Sequence, residues 1–294
     1  MVQYTQEKLK IKTNDGVTIS GVLLKPENPR AVVQINSATA VPKEFYKHIA
    51  QYLAENNYAS FYFDYRGIGD SAPSEGLKGC TYEITDWAKE DMNAVLTFLK
   101  LEFPLIPLFF LCHSVGGQLV GLVPDINRIN GVLAISTSSG YAKNMTLPGR
   151  LQSFYFFKIV RPIIHLIYGY SKFKFLGIME DMPISVTNRW DNWCSKPEYF
   201  FDPKNAKNIE TLSGFKNLTI PIEVGIAIDD PICPKSNVEN LWKHFHSSRS
   251  ININWLHPND FNLKSIGHFN FFRKTSKEML WPWALDKLEE LSKT

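Results

Sequence analysis

Short apolar runs alternate along the chain with segments whose apolar residues recur at helical spacing. The first thirty residues alternate in a two-residue period around Asn14-Asp15-Gly16, which predicts a β-hairpin. Later runs predict strands at 31–35, 58–63, 108–112, 131–135, 220–228 and 251–256. Helical spacing predicts helices at 43–56, 87–101, 116–123, 235–246 and 276–291. This order predicts an α/β fold: a mostly parallel sheet flanked by helices on both faces.

The strand–helix alternation stops between residues 141 and 216, where aromatic side chains are frequent and no strand pattern is visible. We therefore expect a helical cap, or lid, at 141–216, inserted into a core formed by residues 1–140 and 217–294. Residues 154–164 within it are strongly apolar, interrupted by Lys158 and Arg161. Three interpretations stay open: ordinary cap core, the lining of an acyl pocket, or a peripheral surface that touches lipid.

Composition narrows the classes of partner and compartment. The 294 residues include 32 Lys and Arg against 29 Asp and Glu, and a net charge of +3 is too balanced to indicate a nucleic-acid partner. The four cysteines lie far apart without a CxxC pair, which argues against a disulfide framework and a zinc site and favours a reducing, cytoplasmic location. No secretory signal and no uninterrupted run of 18 apolar residues is visible, so we expect no spanning helix.

Ser114 is the strongest candidate for a catalytic residue. It follows the apolar run 108–112 and precedes Val115-Gly116-Gly117, where a helix begins. A sharp strand-to-helix turn exposes such a serine at the carboxyl end of the sheet and requires small neighbours. The usual pattern has glycine two residues before the serine, where this chain has Cys112. The alternative interpretation is an ordinary helix start.

A serine nucleophile needs a histidine base and an orienting carboxylate, which in this arrangement follow it in the order acid, then histidine. His268, in the loop between the last strand and the last helix, is the first candidate for the base, and His257 is the second. Asp230, just after the strand at 220–228, is the first candidate for the acid, and Asp229 is the second. One of the two aspartates could instead cap the following helix.

Acyl transfer also needs hydrogen-bond donors for the oxyanion. We expect one to be the backbone N–H of Val115, the residue after the serine. The second should come from the loop after the 31–35 strand, where Ala38 and Thr39 are the candidates.

Five motifs in this order resemble the α/β-hydrolase superfamily over nearly the whole chain. They are Phe-Asp-Tyr-Arg-Gly-Ile-Gly-Asp-Ser at 63–71, Cys-His-Ser-Val-Gly-Gly-Gln at 112–118, Trp-Asp-Asn-Trp-Cys at 190–194, Asp-Pro-Ile-Cys-Pro at 230–234 and Gly-His-Phe at 267–269. Within the superfamily the chain looks most like bacterial predicted hydrolases related to serine aminopeptidases and monoacylglycerol-lipase-like enzymes. The resemblance implies an α/β-hydrolase fold with Ser114 as nucleophile, Asp230 as orienting acid and His268 as base.

The chain departs from this family at two places. Cys112 stands where glycine is common, and Asn36-Ser37 stands where many relatives have His-Gly. Neither change removes a reacting group, but both bear on the shape of the oxyanion site.

The resulting hypothesis is a serine hydrolase without cofactor or metal that cleaves a carboxylic ester of a small molecule with an apolar acyl group. No cluster of His, Asp or Glu shows metal-ligand spacing. Arg66-Gly67-Ile68-Gly69 is interpreted as a turn rather than a phosphate-binding loop, because it lacks the third glycine. Alternatives are acyl transfer or amide cleavage by the same residues, and a non-catalytic binding protein of the same fold.

Overall fold

One mostly parallel sheet organises the protein, whose computed structural model describes residues 2–206 and 212–293. Its strands are Tyr4–Lys12 (β1), Thr18–Pro26 (β2), Ala31–Asn36 (β3), Tyr58–Phe63 (β4), Leu108–His113 (β5), Gly131–Ile135 (β6), Ile222–Ala227 (β7) and Ile251–Leu256 (β8). They form an eight-stranded sheet in the order β1-β2-β4-β3-β5-β6-β7-β8. The β1–β2 and β2–β4 pairs are antiparallel and the other neighbours are parallel. The predicted fold class is confirmed.

Helices connect the parallel strands and cover both faces of the sheet. They are Lys47–Glu55 (α1), Asn93–Glu102 (α2), Val115–Gln118 (α3), Leu147–Tyr155 (α4), Arg161–Tyr168 (α5), Ile184–Cys194 (α6), Pro203–Ala206 (α7), Lys235–Trp242 (α8) and Trp281–Leu291 (α9). Two π-helical turns, Trp87–Met92 and Phe156–Val160, lead into α2 and α5. The helix predicted at 116–123 is shorter than expected, since α3 passes into a separate 3₁₀ turn at Val120–Leu122. The last helix begins at Trp281 rather than at 276, with a proline in its first turn.

The central strands are buried on both faces, which explains their continuous apolar runs. Alternate side chains of β5 enter different layers of the core. Phe109 and Leu111 pack in the layer that contains residues of α1 and α9, whereas Phe110 packs in the layer that contains residues of α2. The sheet therefore holds the residues that follow its strand ends in fixed positions.

Between β6 and β7 the described residues form α4 to α7 and short turns, in the region predicted as the cap. Residues 207–211 of that region, and residues 1 and 294 of the predicted core, lie outside the described ones. The division at 141 and 216 stays a prediction. None of the described helices combines the length and the apolar character needed to cross a bilayer.

The turn at Arg66–Gly69 is held by ion pairs. The buried Arg66 guanidinium contacts Asp91 at 2.7 Å and Asp15 at 2.5 Å. Gly69 has a φ of 48°, and a Cβ there would lie 2.6 Å from a carboxylate oxygen of Asp64. These contacts account for the arginine and this glycine without a bound phosphate.

Close approach of β3 to the first turn of α3 requires glycine at position 116. A Cβ at Gly116 would overlap the backbone carbonyl of Asn36, which cannot move without shifting β3. We expect Gly116→Ala to lower the free energy of unfolding by about 1–3 kcal/mol, as overpacking does. Thermal or urea unfolding followed by circular dichroism measures this change.

The matched control is Gly177→Ala. A Cβ at Gly177 meets nothing within 4 Å, but the residue has a φ of 66°. This variant should lose only the roughly 1 kcal/mol cost of a left-handed alanine. If Gly116→Ala were as stable as the parent protein, the close-approach argument would be wrong.

Candidate active site

Ser114 lies on a strained turn at the carboxyl end of β5. Its φ of 51° and ψ of −112° place a non-glycine residue in a sparsely populated region, between the last residue of β5 and the first of α3. Its side chain is partly exposed, whereas the residues on either side are buried. Cys112, which replaces the usual glycine, is fully buried, and its sulfur accepts a hydrogen bond from Asn36 Nδ2 at 3.5 Å. Cysteine therefore fits the turn without blocking the serine.

Asp230 and His268 form a buried acid–base pair. Asp230 Oδ2 lies 2.7 Å from His268 Nδ1, and both side chains are almost completely buried. A carboxylate can only accept, so Nδ1 carries the proton and a neutral His268 has its lone pair on Nε2. Neither Nε2 nor the Ser114 hydroxyl has a hydrogen-bond partner among the described residues. The ring is thus set up to accept a proton at Nε2.

The position of Ser114 relative to His268 follows from its neighbour, His113. The His113 and His268 rings lie 5.3 Å apart between centroids, and His113 Nε2 lies 3.0 Å from the His268 carbonyl oxygen. Ser114, the nucleophile candidate, is therefore the sequence neighbour of a residue that directly contacts His268, the base candidate. Catalytic hydrogen bonds are often long before substrate binds, so an unformed Ser–His bond is compatible with this site.

The two neighbouring aspartates have different roles in the structure. Asp230 also accepts the backbone N–H groups of Ile232 and Cys233, at 2.8 and 3.2 Å. Burial pushes the pKa of Asp230 upward, but the charge and hydrogen bond of His268, together with these donors, outweigh it and leave the pKa below its ordinary value. Asp230 is therefore the ionised partner of the histidine. The helix α8 is capped by neither aspartate, since its N-cap is Pro234 without a side-chain bond.

Asp229 holds the loop that precedes His268. Its carboxylate accepts hydrogen bonds from Ser265 Oγ at 2.6 Å and from the backbone N–H groups of Ile266 and Gly267 at 3.0 and 2.9 Å. Asp229 is thus a positioning residue for the loop. The other histidine candidate, His257, is exposed, and its ring forms no hydrogen bond with Asp229 or Asp230.

A buried hydrogen-bond chain connects the loop after β3 with the loop that carries His268. The Tyr46 hydroxyl accepts the Ala38 N–H and contacts His113 Nδ1, both at 2.8 Å. Since the His268 carbonyl can only accept, His113 donates from Nε2, so its Nδ1 accepts from Tyr46. Burial, with a contribution from His268, lowers the pKa of His113 to about 3, which keeps this ring neutral.

This hydrogen-bond chain determines which of the candidate backbone N–H groups is available to donate to an oxyanion. The Ala38 N–H is already engaged with Tyr46, so in this structure it is not a free donor. The N–H groups of Thr39 and Val115 have no hydrogen-bond partner within the described part of the chain. Of the two loop candidates, Thr39 is the one left available.

Cys233 completes a cluster with the acid–base pair. The ligand-type atoms of Asp230, Cys233 and His268 lie within 4.8 Å of one another, and Cys233 Sγ lies 3.8 Å from His268 Nδ1. Burial and the charge of Asp230 raise the pKa of this thiol well above its ordinary value, and the thiol donates to the Ser136 carbonyl at 3.2 Å. The cluster is thus an acid–base pair with a protonated thiol beside it.

Sequence reasoning missed Tyr46 and Cys233. Tyr46 comes from a 3₁₀ turn before α1, and nothing in its local pattern distinguishes it from a core tyrosine. Cys233 had a usable signal, because it lies three residues after Asp230 in a tight turn.

The fold and part of the sequence are similar to those of known hydrolases. A family model described as serine aminopeptidase, S33, matches residues 27–164. No curated protein sequence is significantly similar to the chain. Among solved structures, a soluble variant of monoglyceride lipase from Saccharomyces cerevisiae, in complex with a substrate analog, has 18% identity and a TM-score of 0.62 over 98% of this chain and 95% of its own.

Two further solved structures show the same likeness. The α/β hydrolase GrgF from Penicillium sp. sh18 has 16% identity and a TM-score of 0.62 over 98% of each chain. An esterase of Pyrococcus furiosus has 16% identity and a TM-score of 0.59 over 99% of this chain and 90% of its own. At these identities the likeness bears on the fold.

The Tyr46 hydroxyl can be tested by deleting it alone. Tyr46→Phe leaves two buried groups unsatisfied, the Ala38 N–H and His113 Nδ1. We expect the free energy of unfolding to fall by about 1–3 kcal/mol, which urea titration measures. Tyr65→Phe is the control, since Tyr65 is equally buried and its hydroxyl has no hydrogen-bond partner among the described residues. Equal stability of the two variants would contradict the assigned role of Tyr46.

Proposed function

We propose that this protein is a serine hydrolase of the α/β-hydrolase superfamily that cleaves a carboxylic ester with an apolar acyl group. The observation that carries the proposal is the buried Asp230–His268 pair, which contacts His113, the residue directly before a strained, partly exposed serine. Nucleophile, base and orienting acid are the three groups that acyl transfer by this chemistry needs.

In the proposed reaction Ser114 Oγ attacks the ester carbonyl carbon while His268 Nε2 takes the hydroxyl proton. Asp230 stabilises the resulting imidazolium, and the Val115 and Thr39 N–H groups donate to the oxyanion. The tetrahedral intermediate then expels the alcohol, which receives the proton from His268. Water attacks the acyl-enzyme with His268 as base, which releases the carboxylic acid and restores Ser114.

Aromatic side chains beside the histidine support an apolar substrate. The Phe269 ring, 41% exposed, lies edge-on to His268 at 5.0 Å between centroids, and Phe45 lies 6.3 Å from Phe269. A substrate group that reaches His268 passes this aromatic surface, which disfavours charged groups.

The four cysteines are unpaired, which supports the expected reducing, cytoplasmic location.

The same residues could transfer the acyl group to another acceptor or cleave an amide. Amide cleavage is an alternative because the matching family model is described as serine aminopeptidase. Product analysis separates these reactions. An ester hydrolase releases free acid and alcohol in equal amounts, whereas an acyltransferase forms a new ester or amide.

The proposed nucleophile can be tested by mutation and by covalent labelling. Ser114→Ala should reduce the turnover of short p-nitrophenyl esters by a thousandfold or more, as expected when a triad member is removed. A fluorophosphonate probe should label the parent protein at Ser114, located by peptide mass spectrometry, and should not label this variant. Buried Ser139, which contacts Asn237 rather than the histidine, offers a control as Ser139→Ala. Labelling of another residue, or of none, would favour a different nucleophile or a non-catalytic binding protein.

A further prediction distinguishes the roles of the two neighbouring aspartates. Asp230→Asn removes the charge that stabilises protonated His268, and we expect kcat to fall by roughly a thousandfold or more. Asp229→Asn keeps one acceptor for the loop before His268, so we expect a loss below about a hundredfold. Steady-state kinetics on the same ester measures both. A larger loss in the Asp229 variant would exchange the proposed roles.

A further inference from the structure

One face of the cap is apolar and exposed along its whole length. Residues 147–168 form a continuous helical run made of α4, the π-helical turn at 156–160 and α5. Apolar side chains that recur every three or four residues along it, with two adjacent pairs, are exposed, and we call them the cap stripe: Leu147, Leu151, Phe154, Tyr155, Ile159, Ile163, Leu166 and Ile167. Leu147 is 65% and Leu166 is 88% exposed. Phe175, Leu176 and Ile178 add further exposed apolar side chains just beyond α5.

The opposite side of this run is firmly packed. Phe156 and Phe157 are buried, and both rings contact Trp190 of α6. Arg161 bonds to Asp191 and Asn188 of the same helix, at 2.8 and 2.6 Å. The cap stripe is therefore a fixed feature of the surface, not the underside of a loosely attached helix. An apolar patch of this extent marks an interaction site.

Charge on this segment has a single sign. Residues 142–179 contain no Asp or Glu but six cations: Lys143, Arg150, Lys158, Arg161, Lys172 and Lys174. Lys158 and Arg161 pair with Asp191, and Lys174 pairs with Glu180, both of which lie outside the segment. Lys143, Arg150 and Lys172 have no carboxylate partner in the described part of the chain. A complementary surface would thus be apolar and negatively charged.

We propose that the cap stripe docks on a lipid surface that bears anionic headgroups. Exposed Leu, Ile and Phe side chains would enter the boundary between headgroups and acyl chains, while Lys and Arg reach the headgroup phosphates. The combination of an apolar helical face with cations at its flanks is the pattern of a helix that lies in the membrane interface.

Two other occupants fit less well. A cavity of about 390 Å³ beside Leu147, Leu151 and Phe154 could take one small amphiphile, but it leaves the stripe from Ile159 to Ile167 uncovered. A second copy of the chain, related by a two-fold axis, would bring the acid-free segments of both copies against each other. Like charges would then meet with no carboxylate from either segment to balance them.

The test is co-sedimentation of the full chain with phosphatidylcholine vesicles, either pure or mixed with phosphatidylglycerol. We expect binding to the mixed vesicles that weakens as salt rises, and little binding to pure phosphatidylcholine. Replacing Lys143, Arg150 and Lys172 together by Glu should weaken binding by about a hundredfold or more, since the loss of each cation near an anionic surface alone costs roughly fivefold. Leu166→Ser with Ile167→Ser should also weaken it, by roughly tenfold or more.

Matched controls exist on the core. Lys8, Lys10 and Lys12 are exposed on β1, and replacing them by Glu changes the net charge by the same amount. Leu101 and Leu105 are 76% and 95% exposed near the end of α2, so Leu101→Ser with Leu105→Ser matches the apolar change. Both control variants should bind like the parent protein. Circular dichroism confirms that every variant is folded.

Three outcomes would overturn the proposal: no binding of the parent protein to mixed vesicles, equal losses in the control variants, or a dimer that the Leu166/Ile167 variant abolishes. Binding of dodecanoate without binding to vesicles would assign the surface to a single amphiphile instead. The assay measures binding alone, so its result does not depend on the proposed ester hydrolysis. Failure of either proposal can therefore be recognised separately.

Discussion

The hydrogen bond from His113 to the carbonyl of His268 is the contact on which the candidate site depends. It joins the last residue of β5, which carries the nucleophile candidate on its next residue, to the loop that carries the base candidate. These two segments are separated by 155 positions in sequence, and the bond is fully buried. Because the buried His113 ring stays neutral, the bond does not depend on the protonation of the ring at ordinary pH. A charged His113 would instead repel a protonated His268 and compete with it for the charge of Asp230.

Both ends of this bond are held by further contacts. On one side Tyr46 links His113 to Ala38 in the loop after β3, so the turn that carries Ser114 and this loop share a single buried hydrogen-bond chain. On the other side Asp229 holds the loop before His268, and Asp230 holds the ring itself. Adjacent carboxylates at one strand end can therefore divide backbone and side-chain positioning between them. The strained backbone of Ser114 is kept in place by this surrounding structure.

Much of this arrangement could be predicted from the sequence, because buried parallel strands have short apolar runs with clear ends. The strand at 131–135 was predicted with its observed bounds, and β5 extends one residue beyond its prediction. Residues just after such strand ends meet at one edge of the sheet, which is why Ser114 and Asp230 were identifiable. The place of His268 in the loop before the last helix, directly after Gly267, then favoured it over His257.

Long-range packing explains what could not be predicted. The link between Tyr46 and His113 joins residues 67 positions apart, and no local pattern encodes it. The π-helical turn at 156–160 is likewise invisible to a periodicity argument, although Pro162 supplies a cause, since it cannot donate the hydrogen bond that would continue an α-helix. The apolar run 154–164 was open to three interpretations because some of its side chains are buried and others are exposed. Phe156 and Ile164 are buried, whereas Phe154 and Ile163 are exposed.

The cap stripe and the candidate site are mechanically connected. Just before α4, the Thr146 N–H donates to the carbonyl of Pro231, the residue after Asp230, and Gly149 packs so closely on that carbonyl that a Cβ would lie 2.7 Å from it. The helical run that carries the stripe therefore begins against the Asp230 turn. A displacement of α4 would therefore strain the backbone at Pro231, next to Asp230, whose carboxylate contacts His268.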